Sequence, residues 1–496
     1  MRAFSDFGEN LPRSAAYRVW LDGVEVPVYT CRISAYPFNT WWPGHQRPLA
    51  QSELVSFVNL VSDEALSLEV LHLGAEYEKI MLKPYSKGVK VSKRGEKITF
   101  SLAKNGGYVL ELDDYHNCLY IFNNKPVPCE APDTVTHYFG AGVHDVGKIV
   151  LHSNESVYVD KDAYVYGCVY AENAENIRVF GNGIFDDSRE ERVNEGCYLQ
   201  STNGNIKLYD CKNVSLEGVG FTNSAIWCVN LFHCFDVCVD GINVFGQWRY
   251  NTDGIDIVNC QRVHIKNCFV HSFDDSITIK GIDRYAETDN TDMLIENCVI
   301  WCDWGKALEL GLETACEEYT RITFCNCDVI RGGNTACDVQ NGDCARVHVI
   351  LFEDIRLELE SSYTPAVYQK NDAQIYATDT PYEIAAVAYF SNAGRFREAY
   401  SFLEDPLPPL TVGPQKGEPE FAAMQNITVR NVQVYCDERI FAERGTDAAI
   451  LRVTNGVEGS AVSGIRFENI SVNGVKIPAE SINFKARGEV SDITVK

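Results

Sequence analysis

The sequence lacks the hydrophobic segments that mark membrane proteins and exported proteins. No apolar run reaches membrane-spanning length, and residues 1–20 contain no apolar core of signal-peptide length. Positive charge is also scarce, with 44 Lys and Arg against 69 Asp and Glu and a net charge of −25 at pH 7. This deficit argues against nucleic acid and anionic membrane surfaces as partners. We therefore expect a cytoplasmic protein whose partners are neutral or cationic.

The 19 cysteines follow no spacing that is typical of a small disulfide framework or of zinc. Cys298, Cys302, Cys325 and Cys327 lie close together in the sequence but form no CxxC-type knuckle, so we expect no metal site there. The odd count predicts that most cysteines are buried thiols in a reducing compartment. We expect no metal and no cofactor.

A strand-turn-strand unit recurs through the middle of the chain, as in NIRVFGNGIF, NVSLEGVGF and DVCVDGINVF. The turn residues fall at positions 181, 218, 241, 267, 297, 326, 354, 431 and 469, and the central steps are 23, 26, 30, 29 and 28 residues. Alternating apolar residues indicate strands, and a repeat of this length without intervening helix patterns indicates a solenoid. The sequence therefore predicts an all-β, right-handed parallel β-helix. Cysteines recur beside the turns and are expected to stack inside it.

The chain outside the regular repeat divides into two further parts. Residues 1–135 carry frequent strand patterns without a solenoid period, which predicts an N-terminal β-sandwich domain. Residues 136–496 are expected to form the β-helix domain, with an insertion at about 356–425. The insertion includes an aromatic stretch, PYEIAAVAYFSNAGRFREAYSFL, that we expect to be partly helical. Insertions on a solenoid often lie over the binding face, so this one is expected to act as a lid.

Carboxylates gather in the segment RYNTDGIDIVNCQRVHIKNCFVHSFDDSITIKG. Asp253 precedes the adjacent pair Asp274 and Asp275 by about one coil, and neighbouring coils stack about 4.8 Å apart. Three carboxyl groups so placed should differ in pKa, with one protonated and the others ionised. Such a group suits hydrolysis of a glycosidic bond, in which one carboxyl group protonates the leaving oxygen and the others activate water.

The same segment also permits a structural reading. NTDG and DD are ordinary turn signals, and Asn267, Asn297 and Asn326 are expected to form a stacking ladder. Asp256 alternates with Ile255 and Ile257 and points away from their face, as a supporting residue or a turn contact. Catalysis is favoured because Asp253 and the pair agree in coil register.

Equal offsets from the turn residues predict further side chains on the same face, in one column with the carboxylates. The substrate-binding residues expected in this column are Asn230, Trp248, Arg249, Trp304, Lys306, Glu309 and Asp338. Lys280 is expected to bind substrate as well.

The motifs NTDGID and, one coil later, FVHSFDDSITIK resemble those of inverting glycoside hydrolases that fold as a parallel β-helix. These are the polygalacturonase family 28 and the dextranase and isopullulanase family 49. The resemblance runs from about residue 137 to the C-terminus, and a β-sandwich before the helix is similar to family 49. It implies that Asp274 is the general acid. It also implies that Asp253 and Asp275 hold and deprotonate the attacking water.

The sequence departs from the polygalacturonases where that family binds its acidic sugar. Gly305-Lys306-Ala307 stands in place of their Gly-His-Gly, and their Arg-x-Lys motif has no match in CDVQNGDCARVHV. These differences favour a neutral glycan, such as a dextran-like α-glucan, over polygalacturonate. Lys306, Lys280 and Arg249 would nevertheless be able to meet an acidic sugar. An insertion that closes one end of the groove favours exo-action, and the long flank of a solenoid offers surface for a homodimer.

Three alternative functions remain open at the level of sequence. A polysaccharide lyase on this fold would use an Arg or Lys base, often with calcium held by carboxylates. A non-catalytic β-helix would bind a glycan without turnover or serve a structural role. A transglycosylase or isomerising enzyme would conserve the number of glycosidic bonds.

Overall fold

The computed structural model describes residues 2–35, 49–192, 202–343, 345–361, 367–371, 374–377, 384–392, 423–457, 459–486 and 489–496. These residues are mostly β-strand, with one α-helix at Glu438–Arg444. Short 3-10 helices lie at Leu49–Gln51, Tyr85–Lys87, Pro132–Thr134, Asp283–Tyr285 and Gly445–Ala448. Within these ranges, no helix is long and apolar enough to cross a membrane.

The N-terminal part of the chain forms two sheets that pack face to face. The six-stranded sheet contains Arg2–Phe4, Tyr29–Ser34, Ser52–Ser62, Ile80–Lys83, Gly106–Leu112 and Asp114–Asn124. The five-stranded antiparallel sheet contains Tyr17–Leu21, Val24–Val26, Leu66–His72, Ser92–Arg94 and Lys97–Leu102. Alternate residues of both sheets meet in one core, where Val19 and Leu68 pack against Leu60 and Leu119. This arrangement confirms the predicted β-sandwich.

From His137 onward, parallel strands stack coil upon coil in three columns, which confirms the right-handed parallel β-helix. The first column contains His137–Phe139, Ser156–Val159, Glu175–Gly181, Lys212–Glu217, Phe235–Asp240, Gln261–Lys266, Asn290–Glu296, Glu318–Cys325, Arg346–Glu353, Ala423–Cys436, Ala461–Val472 and Glu489–Val495. The second contains Ile184–Asp186, Gly220–Thr222, Asn243–Phe245, Phe269–Ser272, Val299–Cys302, Asp328–Arg331 and Arg356–Leu359. The third contains Ile206–Tyr209, Val229–Phe232, Ile255–Val258, Ile277–Gly281, Lys306–Thr314, Thr335–Asn341, Ala386–Asn392, Leu451–Asn455 and Ile482–Ala486. Gly142–Leu151 and Ala163–Glu172 each span the second and third columns in the first coils, and Val475–Lys476 pairs antiparallel with the strand before it.

The sharp turn between the first and second columns explains the repeating asparagines. Asn267, Asn297 and Asn326 all adopt positive φ angles of 52–58°, a conformation that asparagine tolerates better than most residues. Asn326 Nδ2 donates to Asn297 Oδ1 at 2.5 Å, and Asn267 Nδ2 donates to Asp240 Oδ1 at 2.7 Å. The predicted asparagine ladder therefore forms between Asn297 and Asn326, whereas Asn267 bonds an aspartate of the coil before it.

The interior of the solenoid is packed with inward-facing Val, Ile, Leu and Cys side chains. Six of the recurring cysteines lie in this core, namely Cys211, Cys234, Cys260, Cys268, Cys298 and Cys327. All cysteines in the described ranges are free thiols. Cys344, which the repeat also predicts to be stacked, lies outside the described residues.

The N-terminal sandwich is fixed against the second column of the β-helix. Phe57 and Tyr120 of its six-stranded sheet share a buried cluster with Phe245, Phe269 and Trp301. A group of buried ion pairs lies at the edge of this contact. Its ion pairs are Lys83 with Glu360 at 3.2 Å, Lys83 with Glu358 at 3.4 Å and Arg331 with Glu111 at 2.6 Å. The sandwich therefore covers the second column. It also holds, from one side, the loops that lead from the second column to the third.

The expected insertion at 356–425 is described only in part. Val367–Asn371 and Gln374–Ala377 pair as a small antiparallel hairpin. Ala386–Asn392, from the stretch predicted to be partly helical, is instead a strand of the third column. This segment forms a strand because it pairs with the strands Thr335–Asn341 and Leu451–Asn455, and its Ala388 and Phe390 side chains point into the solenoid core. Residues 393–422, and with them most of the predicted lid, lie outside the described residues.

Candidate active site

The predicted catalytic residues lie in the loops that join the second column to the third. Asp274 and Asp275 connect Phe269–Ser272 to Ile277–Gly281, and Asp253 directly precedes Ile255–Val258 on the coil before. Backbone hydrogen bonds hold the two loops side by side. The Asp274 N–H donates to the Thr252 carbonyl at 3.3 Å, and the Gly254 N–H donates to the Asp275 carbonyl at 2.8 Å. The structure therefore brings the three predicted carboxylates together.

Lys280 is the cation at the centre of this group. Its Nζ lies 2.8 Å from Asp253 Oδ2 and 3.4 Å from both Asp256 Oδ1 and Asp275 Oδ2. The same nitrogen lies 4.1 Å from the ring centroid of Trp227, a distance typical of a cation–π contact. Lys280 is buried, with only 4% of its surface exposed, so these carboxylates are its principal compensation.

The adjacent carboxyl groups of Asp274 and Asp275 have opposite electrostatic surroundings. Burial favours the neutral form of Asp275, but Lys306 and Lys280 outweigh it and lower the pKa of this group. In the part of the chain that the structure describes, no lysine or arginine nitrogen lies within 4 Å of the Asp274 carboxylate. Burial, together with Asp253 and Asp275, raises the pKa of Asp274 well above its ordinary value. Asp274 is therefore protonated where Asp275 is ionised.

The tendency of Asp253 to ionise lies between that of Asp274 and that of Asp275. Burial raises the pKa of Asp253 to about 7 although Lys280 opposes the shift. Its Oδ2 contacts Lys280, whereas its Oδ1 has no hydrogen-bond partner among the described residues. Burial and the neighbouring Asp253 raise the pKa of Asp256 well above its ordinary value, so that Asp256 also holds a proton.

One outward-facing column runs through the third set of strands, but its members differ from those expected. Strand pairing aligns Asn230, Asp256, Thr278, Glu309 and Asp338 in successive coils. They lie 12, 15, 11, 12 and 12 residues past the preceding turn residue, because the loop before each strand varies in length. The prediction from equal offsets that Asp253 belongs to this column is therefore wrong. Asp256 holds that position, and Asp253 lies in the loop beside it.

Lys306 and Glu309 lie on the coil after Asp274 and Asp275. Lys306 Nζ is 3.4 Å from Asp275 Oδ1 and 3.3 Å from Glu309 Oε1. The Thr278 hydroxyl donates to Glu309 Oε2 at 3.3 Å. Burial raises the pKa of Glu309 well above its ordinary value and that of Asp338, one coil further, to about 7.

The other predicted substrate-binding residues are distributed around this centre. Trp304 stacks on Phe273 at 6.4 Å and borders the catalytic loop. Asn230 is fully buried, and its amide donates to backbone carbonyls, the nearest being that of Trp227 at 2.8 Å. Trp248 and Arg249 contact each other one coil before Asp274, at 5.3 Å from ring to guanidinium.

Two residues of the site were not among those predicted from the sequence. Trp227 lies nine residues past turn 218, the same offset as Lys306 past turn 297, and this spacing would have indicated it. Gly305 carries no such signal. A Cβ atom on Gly305 would lie 2.4 Å from the Asp275 backbone nitrogen, so the tight packing of two loops requires glycine there.

A separate cluster of Cys168, Asp187 and Glu190 has ligand atoms within 4.8 Å of one another, a spacing that would suit a metal ion. Protein hydrogen bonds already occupy its carboxylates. Glu190 accepts N–H groups from Asn203 at 2.7 Å and Gly204 at 2.9 Å, and Asp187 accepts the Ala225 N–H at 3.0 Å. These bonds account for the position of both acidic side chains without a metal.

Comparison with known proteins places this geometry among carbohydrate-active enzymes. The family model described as glycosyl hydrolases family 28 matches residues 132–381. A probable polygalacturonase of Vitis vinifera is 29% identical over 83 residues, 16% of this chain and 17% of that protein. A probable endopolygalacturonase D of Neosartorya fischeri is 22% identical over 165 residues, 30% of this chain and 33% of that protein. The matches thus span a third or less of these relatives' lengths.

A solved structure also matches the whole fold. The structure of Dex49A from Penicillium minioluteum has a TM-score of 0.64 at 12% sequence identity, and the match covers 98% of this chain and 96% of that chain. The agreement extends over both the sandwich and the β-helix, and at this identity it shows the fold alone.

Proposed function

This chain belongs to the glycosyl hydrolases family 28, and on that premise we propose that it is an inverting glycoside hydrolase acting on an oligo- or polysaccharide. The observation that carries the proposal is the contrast between neighbouring carboxyl groups. Two lysines hold Asp275 ionised, whereas Asp274 beside it is buried, has no lysine or arginine nitrogen within 4 Å among the described residues, and keeps its proton. A protonated acid next to an ionised base is what hydrolysis of a glycosidic bond requires.

Each carboxyl group then has a distinct role. Asp274 donates its proton to the glycosidic oxygen of the leaving sugar. Asp275 accepts a proton from water that attacks from the opposite side of the sugar ring, which inverts the anomeric centre. Asp253 presents Oδ1 as a further acceptor for this water, because only its Oδ2 is bound to Lys280.

The lysines support hydrolysis over elimination by a lyase. A lyase base must be uncharged to remove a proton from the sugar. Although burial favours the neutral amine, the surrounding carboxylates raise the pKa of both Lys280 and Lys306 well above the ordinary value. Both side chains therefore hold their protons more tightly than an ordinary lysine, which disfavours either of them as that base.

The pairing of the site's cations favours a neutral glycan, such as a dextran-like α-glucan. Lys280 and Lys306 are both already paired with carboxyl groups of the site. Those carboxyl groups belong to Asp253, Asp256, Asp275 and Glu309. A uronate would bring a further carboxylate that meets no free cation among these residues. Because both curated relatives are named as polygalacturonases, polygalacturonate is the competing substrate class.

A panel of neutral and acidic oligosaccharides tests this proposal, with Asp274→Asn as the matched variant. The variant keeps the shape of a neutral carboxyl group but has no proton to donate to the leaving oxygen. We expect the wild-type protein to release reducing sugar from a neutral member of the panel and the variant to lose at least about 100-fold in kcat. Preferential turnover of polygalacturonate would contradict the substrate assignment. Undiminished turnover by Asp274→Asn would contradict the assignment of the acid.

The panel also distinguishes exo-action from endo-action. Release of single sugars from chain ends would indicate exo-action, and release of long fragments would indicate endo-action. We further propose that the enzyme acts in the cytoplasm on imported oligosaccharides, which localisation of the tagged full-length protein would test.

A further inference from the structure

Lys306 occupies a position from which it contacts the catalytic base rather than open solvent. Its Nζ lies 3.4 Å from Asp275 Oδ1, and its own backbone N–H donates to the same oxygen at 3.1 Å. Lys280 approaches the other oxygen, Oδ2, at 3.4 Å. Each oxygen of Asp275 therefore faces one ammonium group, and Lys306 additionally supplies a hydrogen bond from its main chain.

Glu309 completes the surroundings of the Lys306 ammonium group. It lies three residues further along the same strand, with Oε1 at 3.3 Å from Lys306 Nζ. The side chain of Lys306 is 17% exposed, and that of Asp275 is 8% exposed. An ammonium group held between two such carboxyl groups has little freedom to turn toward a sugar.

Several other titratable groups face Asp275, and none of them adds positive charge. Asp253 and Glu313 add negative charge around Lys280, whereas Asp274 and Asp256 hold protons. The Glu309 side chain hydrogen-bonds Asp275, and this bond also lowers the pKa of Asp275. The Cys302 thiol is buried beside the pair, and burial raises its pKa, so it stays neutral. Asp338, one coil beyond Glu309, faces Lys306 from the far side. Lys280 and Lys306 are thus the two cations within 4 Å of Asp275 in the described ranges.

We propose that Lys306 is a positioning residue that keeps Asp275 charged beside the uncharged Asp274, rather than a ligand of the substrate as the sequence predicts. Lys280 is shared among three carboxyl groups and supplies only part of the compensation for each. Lys306 gives Asp275 the additional positive charge that its neighbour Asp274 lacks within contact distance. This inference rests on the proposed hydrolase function and adds the group that assigns the two adjacent carboxyl groups to different tasks.

The pH profile of kcat/KM for Lys306→Met tests the proposal. The low-pH limb of the profile reports the pKa of the base. The base must be ionised to act, so activity falls as pH falls through that pKa. Removing a cation at this distance raises the pKa of Asp275, so we expect the low-pH limb to move upward by about one to three pH units. Lys306→Arg, which retains the charge, should restore the limb toward its original position. Lys266→Met, at an exposed lysine 3.4 Å from Asp240, serves as control and should leave the profile unchanged.

Substrate affinity separates this role from direct binding of the sugar. In an Asp274→Asn background, where turnover is removed, Lys306→Met should change the Kd for the oligosaccharide less than about threefold. An unmoved low-pH limb combined with a tenfold or greater loss of affinity would overturn the proposal and return Lys306 to the substrate-binding residues.

A measurement without substrate keeps the inference separate from the proposed function. Asp275 has a lowered pKa in the folded protein, so its contribution to stability is present above the pKa of an unfolded aspartate and is lost as pH falls. The ratio of unfolding constants between Lys306→Met and wild type should therefore be largest at pH 6 and should fall as pH is lowered through the raised pKa of Asp275 in the variant, in a series from pH 6 to pH 2. A ratio that stays constant over this series would overturn the inference. The expected ratio in a protein that hydrolyses no glycan would support the Lys306–Asp275 coupling and refute only the proposed function.

Discussion

Lys280→Met isolates the electrostatic centre of the site. The substitution keeps a long apolar side chain against the Trp227 ring but removes the ammonium group from three buried carboxyl groups. Removing one partner of a buried ion pair leaves the other without compensation, at a cost of about 3–5 kcal/mol. We expect the free energy of unfolding at pH 7, measured by urea denaturation, to fall by this amount. The exposed control Lys266→Met should cost about 1 kcal/mol or less.

The pH dependence of this loss has a defined sign. Without Lys280, the pKa of Asp253 rises above its value of about 7, so the folded variant binds a proton that the unfolded chain releases. Stability relative to wild type then falls as pH rises through about 7 toward the raised pKa of Asp253 in the variant, because wild type releases this proton there and the variant keeps it, by up to about 1.4 kcal/mol per pH unit for one proton. A loss below about 1 kcal/mol at pH 7, or a loss that shrinks as pH rises, would refute the claim that Lys280 compensates these carboxylates.

Two substitutions test the packing and protonation of the same centre. Gly305→Ala places a Cβ atom 2.4 Å from the Asp275 nitrogen and should displace the base, with an expected loss of about 100-fold in kcat. Gly140→Ala, whose Cβ meets nothing closer than 3.5 Å, is the control, and equal activity of the two variants would contradict the role of Gly305. Asp256→Asn replaces a protonated carboxyl group by a neutral amide of similar shape. We expect activity within about tenfold of wild type and a stability change below about 1 kcal/mol, and a much larger loss would show that Asp256 acts as a carboxylate.

The fold was predictable because its physical causes are local and repeated. Alternation of apolar residues, a sharp turn suited to asparagine and a spacing of 23–30 residues recur often enough to specify a solenoid. The N-terminal sandwich followed from strands that lack this spacing. The strand at Ala386–Asn392 was not predicted, because its aromatic surroundings resemble a helix and only its pairing with two distant strands makes it β.

The sequence predicts which residues form the site better than it predicts how they are arranged. Asp253, Asp274 and Asp275 come together as their coil spacing indicates, and Lys280 and Lys306 join them. The register of Asp256 was not predictable, because the loops between the second and third columns differ in length and residue counting drifts from coil to coil. The pairing of each lysine with particular carboxylate oxygens depends on side-chain direction, which cannot be read from a single sequence.

We propose that Asp274 and Asp275 act as acid and base in a single displacement at the anomeric carbon. Proton NMR of the first product formed from a neutral oligosaccharide of defined anomeric configuration tests this proposal, because the anomers have separate signals before they equilibrate in water. We expect the newly released reducing end to appear first as the inverted anomer. A first product with retained configuration would require a covalent intermediate and would refute these roles for Asp274 and Asp275.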